Sequence, residues 1–487
     1  MKVLFVLSEV WPFAKAGGLA DVGGALPPEI KKKHIDIRVF LPYYRQVKEK
    51  DYKIKENIVP PFQISVGMIK NTVKLHQGSY NDVPIYFVDI PEYFDRPNLY
   101  VDDSGEGFSD SLEIYAIFNW SVLLSLSKLK WFPDLIHAHD WHTGFLPIWL
   151  NHPLIKSVFS QEKIPKIMFT VHNLAYQGIF PLEKLSILGI NDDQYINELN
   201  LYNQGNPMKA GIALSDVVTT VSPTYAKEIQ TEEYGAGLHN ILREKKESLY
   251  GIINGVDYSI WNPEIDNILP FNYSPSDQAG KKKCKEFLLK KANLPQNMNF
   301  PLIGIISRLV HQKGFDLIIP RLRDWLKSYD FYLILIGSGY IKFANELQAI
   351  AEEYPERISL TIGYDNKYAH LIEAGSDFFL MPSRYEPCGL NQLYSLKYGT
   401  IPIVRATGGL ADTIIDFNNN PENGTGFSFE NYSEEQLTKT FERALAWYSS
   451  QTIESLEKVR KRIMELDYSW KRSAEKYCSL YKELMEK

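Results

Sequence analysis

The pentapeptide Gly-Gly-Leu-Ala-Asp occurs twice in this chain, at 17–21 and at 408–412. Each copy follows an apolar run (residues 3–7 and 401–404) and precedes a helical pattern. A buried strand, a tight glycine turn and a helix N-terminus form the building unit of nucleotide-binding α/β domains. Backbone N–H groups and the positive end of the helix dipole gather at such a turn, which suits a phosphate or a sugar hydroxyl. In the second copy, Thr407-Gly408-Gly409 is expected to let a ligand reach the backbone without meeting a Cβ. Glu386, after the preceding apolar run, stands at the previous strand end. One such unit in each half predicts two domains offering glycine turns to one ligand from opposite sides. At 487 residues the chain exceeds one ordinary core, so several domains are expected in any case.

The pattern predicts strands near 2–8, 35–41, 84–90, 134–138, 166–171, 216–221 and 249–253 in the first half. In the second half it predicts them near 301–307, 331–337, 358–362, 377–381 and 400–404. Helical segments separate most of them, which argues for parallel sheets with right-handed crossovers. Asn254-Gly255-Val256-Asp257, Trp261-Asn262-Pro263 and the polar stretch to Gly280 read as a hinge or linker. The expected domains are therefore 1–262 and 263–467, with a C-terminal helix over 468–487. Polar residues and glycines collect after the strands: Ser8, His139, Asp140, His172, Asn173, Ser222, Asn254, Arg308, Gly337, Tyr364, Glu386 and Thr407. Open α/β sheets bind ligands at that edge.

Arg308 and Lys313 stand five apart across a turn that opens a helix, so both can serve one anion, Arg as a fork and Lys as a point charge. Lys15 is a third cation, in the other half. Fixed cations and helix N-termini can stabilise a departing pyrophosphate without a metal. His137, His139 and His142 with Asp140 do not hold a metal-ligand spacing, and no metal or other cofactor is expected. A net charge of −6 argues against a nucleic-acid partner. Three widely separated cysteines imply a reducing compartment, and no run reaches the length of a membrane helix.

Taken together, the motifs resemble those of bacterial glycogen synthases and plant starch synthases. They are Lys15-Ala16-Gly17-Gly18-Leu19, His137-Ala138-His139-Asp140-Trp141-His142, His172-Asn173-Leu174-Ala175-Tyr176-Gln177-Gly178 and Thr220-Val221-Ser222-Pro223. Asn254-Gly255-Val256-Asp257, Ser307-Arg308, Lys313-Gly314, Glu386-Pro387-Cys388-Gly389-Leu390 and Thr407-Gly408-Gly409-Leu410 complete the set. The resemblance spans nearly the whole chain. It implies the GT-B fold: two Rossmann-like domains facing across a cleft, with the C-terminal helix crossing back to the first. It further implies a cytoplasmic enzyme, or a plastid one if of plant type, that extends an α-1,4-glucan from ADP-glucose with retention at the anomeric carbon. UDP-glucose as donor, or a non-catalytic glucan-binding regulator, are the alternatives. A glucan phosphorylase shares the architecture but would need pyridoxal phosphate on a lysine.

By the same resemblance, Arg308 and Lys313 bind the diphosphate, and Lys15, Gly18 and Asp21 belong to the donor site. Glu386 holds the glucosyl hydroxyls and supports charge developing at the anomeric carbon, with His172, Asp140 and Asn173 on the sugar. Tyr364 stacks on the base, Thr407, Gly408 and Gly409 cap the distal phosphate region, and Cys388, Gly389 and Leu390 belong to the substrate site. Tyr93 and Tyr100 are candidate acceptor contacts. The chain departs from the family's Asp-Asn-x-x-Arg-Phe pattern, because Ile114 takes the arginine's place. Many retaining relatives carry a second glutamate where this chain, like the synthases, has Tyr394.

Overall fold

The computed structural model describes residues 1–102, 105–159 and 163–486. The chain divides into two compact units, one formed by Met1–Gly255 together with Trp470–Lys487 and the other by Val256–Ser469.

The second unit is built on a sheet of six parallel strands among the described residues. Its spatial order is Ile358–Ile362, Tyr332–Gly337, Leu302–Ile306, Phe378–Met381, Ile401–Arg405 and Phe427–Phe429. Numbered along the chain this is 3-2-1-4-5-6, the doubly wound order whose direction reverses beside the first strand. The inner strands are buried and read as continuous apolar runs such as Leu302-Ile303-Gly304-Ile305-Ile306, whereas the edge strand Ile358–Ile362 is only partly covered. The reversal falls between Leu302–Ile306 and Phe378–Met381, which pair directly.

The first unit repeats the scheme with Lys2–Val6 flanked by Asp36–Pro42 on one side and Leu135–His139 on the other. Beyond Leu135–His139 the sheet continues in parallel through Lys166–Val171, Val217–Thr220 and Leu249–Gly251. On the other side Val83–Asp89 is followed by an antiparallel pair, Ile69–Tyr80 and Phe62–Val66. This hairpin was not anticipated. Its outward residues are polar, with Lys70 and Lys74 exposed, so it lacks the apolar run that marks a buried parallel strand. Trp470–Glu486 packs its Trp470, Tyr477, Tyr481 and Leu484 face into this unit, against Gly18–Lys31. No helix of the described residues is long and apolar enough to cross a membrane.

The stretch after residue 255, expected as a linker, is instead folded into the second unit. Leu269 and Tyr273 join its core, and Asp266 accepts hydrogen bonds from the Tyr398 hydroxyl (2.6 Å) and His370 Nδ1 (2.7 Å). Trp261 lies between the rings of His370 (3.8 Å) and Tyr394 (4.0 Å), nearly parallel to both. Turn chemistry disguised it. Asp257 and Asn262 accept from amides two residues on, and the polar composition of such turns hides a few large anchors. The same stack gives Tyr394 a packing role, as the partner of Trp261.

Candidate functional site

In the second unit the two strands at the reversal each end in a loop bearing candidate residues. The loop after Leu302–Ile306 carries Arg308, and Lys313 ends the short turn His311–Lys313 before the helix Phe315–Ser328. The loop after Phe378–Met381 carries Glu386. Gly314 joins them closely: its φ is +79°, and a Cβ there would stand 2.2 Å from the Pro382 carbonyl oxygen. Gln312 laces the loops together, accepting from Arg384 N (2.8 Å) and donating from its side chain to Tyr385 O (3.3 Å).

Lys313 Nζ stands 2.5 Å from Glu386 Oε2, and Ser383 Oγ donates to that same oxygen at 3.0 Å. Glu386 is only 6% exposed, whereas Arg308 lies at the surface, where it donates to Gln312 Oε1 (3.3 Å). A buried acid and a half-buried lysine therefore pair at the carboxyl edge of the sheet, with the exposed arginine bonded to Gln312 on the lysine's loop. Tyr364 follows Ile358–Ile362 with its ring 70% exposed and its hydroxyl on Asn366 Oδ1 (3.0 Å). Cys388 is buried, and Gly389 (φ +70°) and Leu390 lead into the helix Asn391–Lys397.

The second glycine turn differs from expectation. Thr407 is buried, Gly408 opens the helix Gly408–Thr413 with φ +46°, and a Cβ on it would meet Glu386 O at 2.0 Å. A Cβ on Gly409 would meet Cys388 O at 2.0 Å, and Gly409 N donates to Glu386 O at 3.1 Å. These glycines admit the chain's own backbone, not a ligand, on their bare side, and they hold the 386–388 loop. Gly408→Ala should therefore destabilise the fold by about 1–3 kcal/mol, because both the positive φ and the carbonyl oppose it. Urea unfolding midpoints of the variant and parent check this.

The first glycine turn is the open one: nothing lies within 4 Å of a Cβ built on Gly17. Its amides are already engaged, since Ala16 N and Gly17 N both donate to Glu9 Oε2, at 2.6 and 2.7 Å. The Tyr100 hydroxyl donates to Glu9 Oε1 at 2.7 Å and bonds Ser8 Oγ at 2.8 Å. Burial raises the Glu9 carboxyl against the opposing pull of these donors. Sequence analysis missed Glu9, although its place directly after the first strand, beside Ser8, marked it. Tyr100 is thereby fixed as a brace for this loop, its ring 4.9 Å from that of His142. Lys15 Nζ sits on Asp21 (2.7 Å) over the Trp11 ring, and Gly18 begins Gly18–Lys31, so Lys15, Gly18 and Asp21 lie together at the surface.

Next to this loop, Leu135–His139 ends in Asp140, whose φ is +57°. Asp140 Oδ1 accepts from His172 N at 2.7 Å. Burial lifts its carboxyl to about 7, while the amides of His172 and Asn173 pull the other way. His139 and His137 alternate onto one face of their strand and stack at 4.1 Å. His137 bonds Tyr481 (2.7 Å) and Thr170 (2.6 Å), so it is committed to the interior. His172 Nε2 lies 3.0 Å from His139 Nδ1, and burial lowers the His172 imidazole to about 3. Asn173 turns its side-chain oxygen to Ala175 N (3.1 Å). Tyr93 is half-buried in a segment pinned by Arg96 on Asp110 (2.8 Å) and Asp95 on Arg45 (2.7 Å). Among the described residues, no three His, Cys, Asp or Glu are grouped to hold a metal ion.

Residues 2–244 match the model of the starch synthase catalytic domain, and residues 287–462 match that of group 1 glycosyl transferases. A glycogen synthase of Geotalea daltonii is 42% identical over 100% of this chain and 99% of its own length. The chain belongs to the glycogen and starch synthase family. A second synthase, from Geobacillus thermodenitrificans, is 41% identical over 100% of this chain and 98% of its own. The solved catalytic domain of starch synthase IV from Arabidopsis thaliana, bound to ADP and acarbose, superposes with a TM-score of 0.89. It is 31% identical, covering 100% of this chain and 99% of that one, so the synthase architecture, GT-B, is shared along the full length.

Proposed function

We propose that this synthase transfers glucose from ADP-glucose to the non-reducing end of an α-1,4-glucan, with retention of configuration. The observation that carries the reading is the Lys313–Glu386 pair where the second sheet reverses, with Arg308 on the same loop as Lys313 and bonded to Gln312. Two cations there suit a diphosphate, and a nearly buried carboxylate beside them suits a sugar carbon gaining positive charge. In this reading Lys313 leaves Glu386 Oε2 for a phosphate oxygen, and Arg308 holds the diphosphate by its fork. Tyr364 offers an exposed ring for the base. In the first unit, Lys15, Gly18 and Asp21 offer a cation at a helix start, and His172, Asn173 and Asp140 offer polar groups suited to sugar hydroxyls. An adenine nucleotide is favoured because the solved starch synthase, alike along its whole length, carries ADP.

Initial rates with ADP-glucose and UDP-glucose on a glycogen primer test the donor assignment; faster transfer from UDP-glucose would reverse it. The anomeric proton signal of the first product tests retention, with the α form expected. Arg308→Ala should weaken ADP binding by roughly 10- to 100-fold, the loss of about 1.5–3 kcal/mol from charge-assisted hydrogen bonds. Calorimetric titration with ADP reads it, and unchanged affinity would remove Arg308 from the diphosphate.

A further inference from the structure

His139 is fully buried, at 0% exposure, with its ring stacked on His137 and tilted 5.0 Å from Phe5. Its Nδ1 faces His172 Nε2 at 3.0 Å, and its Nε2 is buried with no hydrogen-bond partner. Two neutral imidazoles meeting at one nitrogen pair share a single proton, so one ring donates and the other accepts. A charged His139 would bury a cation and strand a second N–H, with no carboxylate bonded to the ring. If His172 donated, the remaining proton of His139 would have to sit on Nε2, as a buried N–H without an acceptor. If His139 donates from Nδ1, its Nε2 carries only a lone pair. Orphaned buried donors are the rarer outcome in folded proteins, and His172, less buried than His139, has no nitrogen left both buried and without a partner. The fully buried ring therefore dictates to the less buried one.

We propose that His139 is a positioning residue: its Nδ1–H donates to His172 Nε2 and leaves His172 with its proton on Nδ1. His172 then meets its ligand as a hydrogen-bond donor and selects an accepting atom, a hydroxyl or phosphoryl oxygen. The proposal rests on the reading of His172 as a sugar-side residue.

The test uses the full chain labelled with ¹⁵N-histidine and two-bond ¹H–¹⁵N spectra, with His172 assigned by its disappearance in His172→Gln. Protonated Nδ1 and bare Nε2 on His172 are expected; protonated Nε2 overturns the proposal. Two variants add a kinetic arm. His139→Leu removes the donor and should lower kcat about 10- to 100-fold, as loss of an orienting partner does. His139→Asn keeps an N–H at the same branch of the side chain and should recover most of that loss. Unchanged turnover in His139→Leu, or equal damage by Asn and Leu, overturns the positioning role. Full turnover in His172→Ala would instead defeat the reading of His172 as a sugar contact, while the spectra would still report the proton.

Discussion

Glu386→Gln is expected to lower kcat on the order of 10³-fold while ADP binding is kept or tightened. The carboxylate is 6% exposed and takes Lys313 Nζ and Ser383 Oγ on one oxygen, so its shape is held by neighbours an amide can also satisfy. What the amide lacks is charge. In the free enzyme that charge is matched by Lys313; under the proposed reading Lys313 turns to the donor phosphates and leaves it facing only the sugar. Its value then rises toward the transition state, which places the loss in kcat and not in donor affinity. Removing it also releases Lys313 in the free enzyme, which gives ADP affinity its sign. Single-turnover rates and calorimetry on the same preparation separate the two quantities. Turnover near the parent value would take Glu386 out of the chemistry.

Asp377→Asn should unfold the second unit more easily, by about 3–5 kcal/mol. Asp377 stands just before Phe378–Met381, 3% exposed, with Lys285 Nζ at 2.7 Å from one oxygen and Arg460 Nη2 at 2.6 Å from the other. It also accepts from Leu302 N at 2.9 Å, tying together the starts of the very strands whose far ends bear Arg308 and Glu386. Burial alone would raise this carboxyl, but Lys285 and Arg460 outweigh it and hold it below the ordinary value of 3.8. A depressed acid stabilises the fold above its unfolded pKa and gives that stability up as pH falls through the folded one. The parent should therefore lose stability as pH falls below about 4, and the variant should lose less. Denaturant midpoints from pH 7 to pH 3 read both effects. A variant as stable as the parent would show that the two cations find other partners.

The sequence revealed the parallel strands well, because burial on both faces makes them continuous apolar runs, and it revealed the strand-end residues for the same reason. Arg308, Lys313 and Glu386 were legible as strand-end residues; Lys313 pairs with Glu386, while Arg308 bonds Gln312 on the same loop. What it could not show was direction. Gly17 and Gly408 sit in identical pentapeptides, yet one faces open space and the other faces Glu386 O. Only the neighbouring loop distinguishes them. Glu9 escaped notice because a carboxylate serving amides of its own chain looks, in sequence, like any polar residue ending a strand. Trp261 and Asp266 were hidden by the proline-rich, polar setting that made their stretch resemble a tether.

The first unit takes its final helix from beyond the second, so the polypeptide crosses the boundary at 255 and again at 469. During synthesis, everything from 256 to 469 must leave the ribosome before Tyr481 can reach His137. The amino-terminal lobe thus waits, unfinished, for the remainder of translation, with the site of that missing helix against Gly18–Lys31 uncovered. A shortened polypeptide lacking the last seventeen or so residues would keep an intact carboxy-terminal lobe and injure the distant one, the reverse of what linear order suggests.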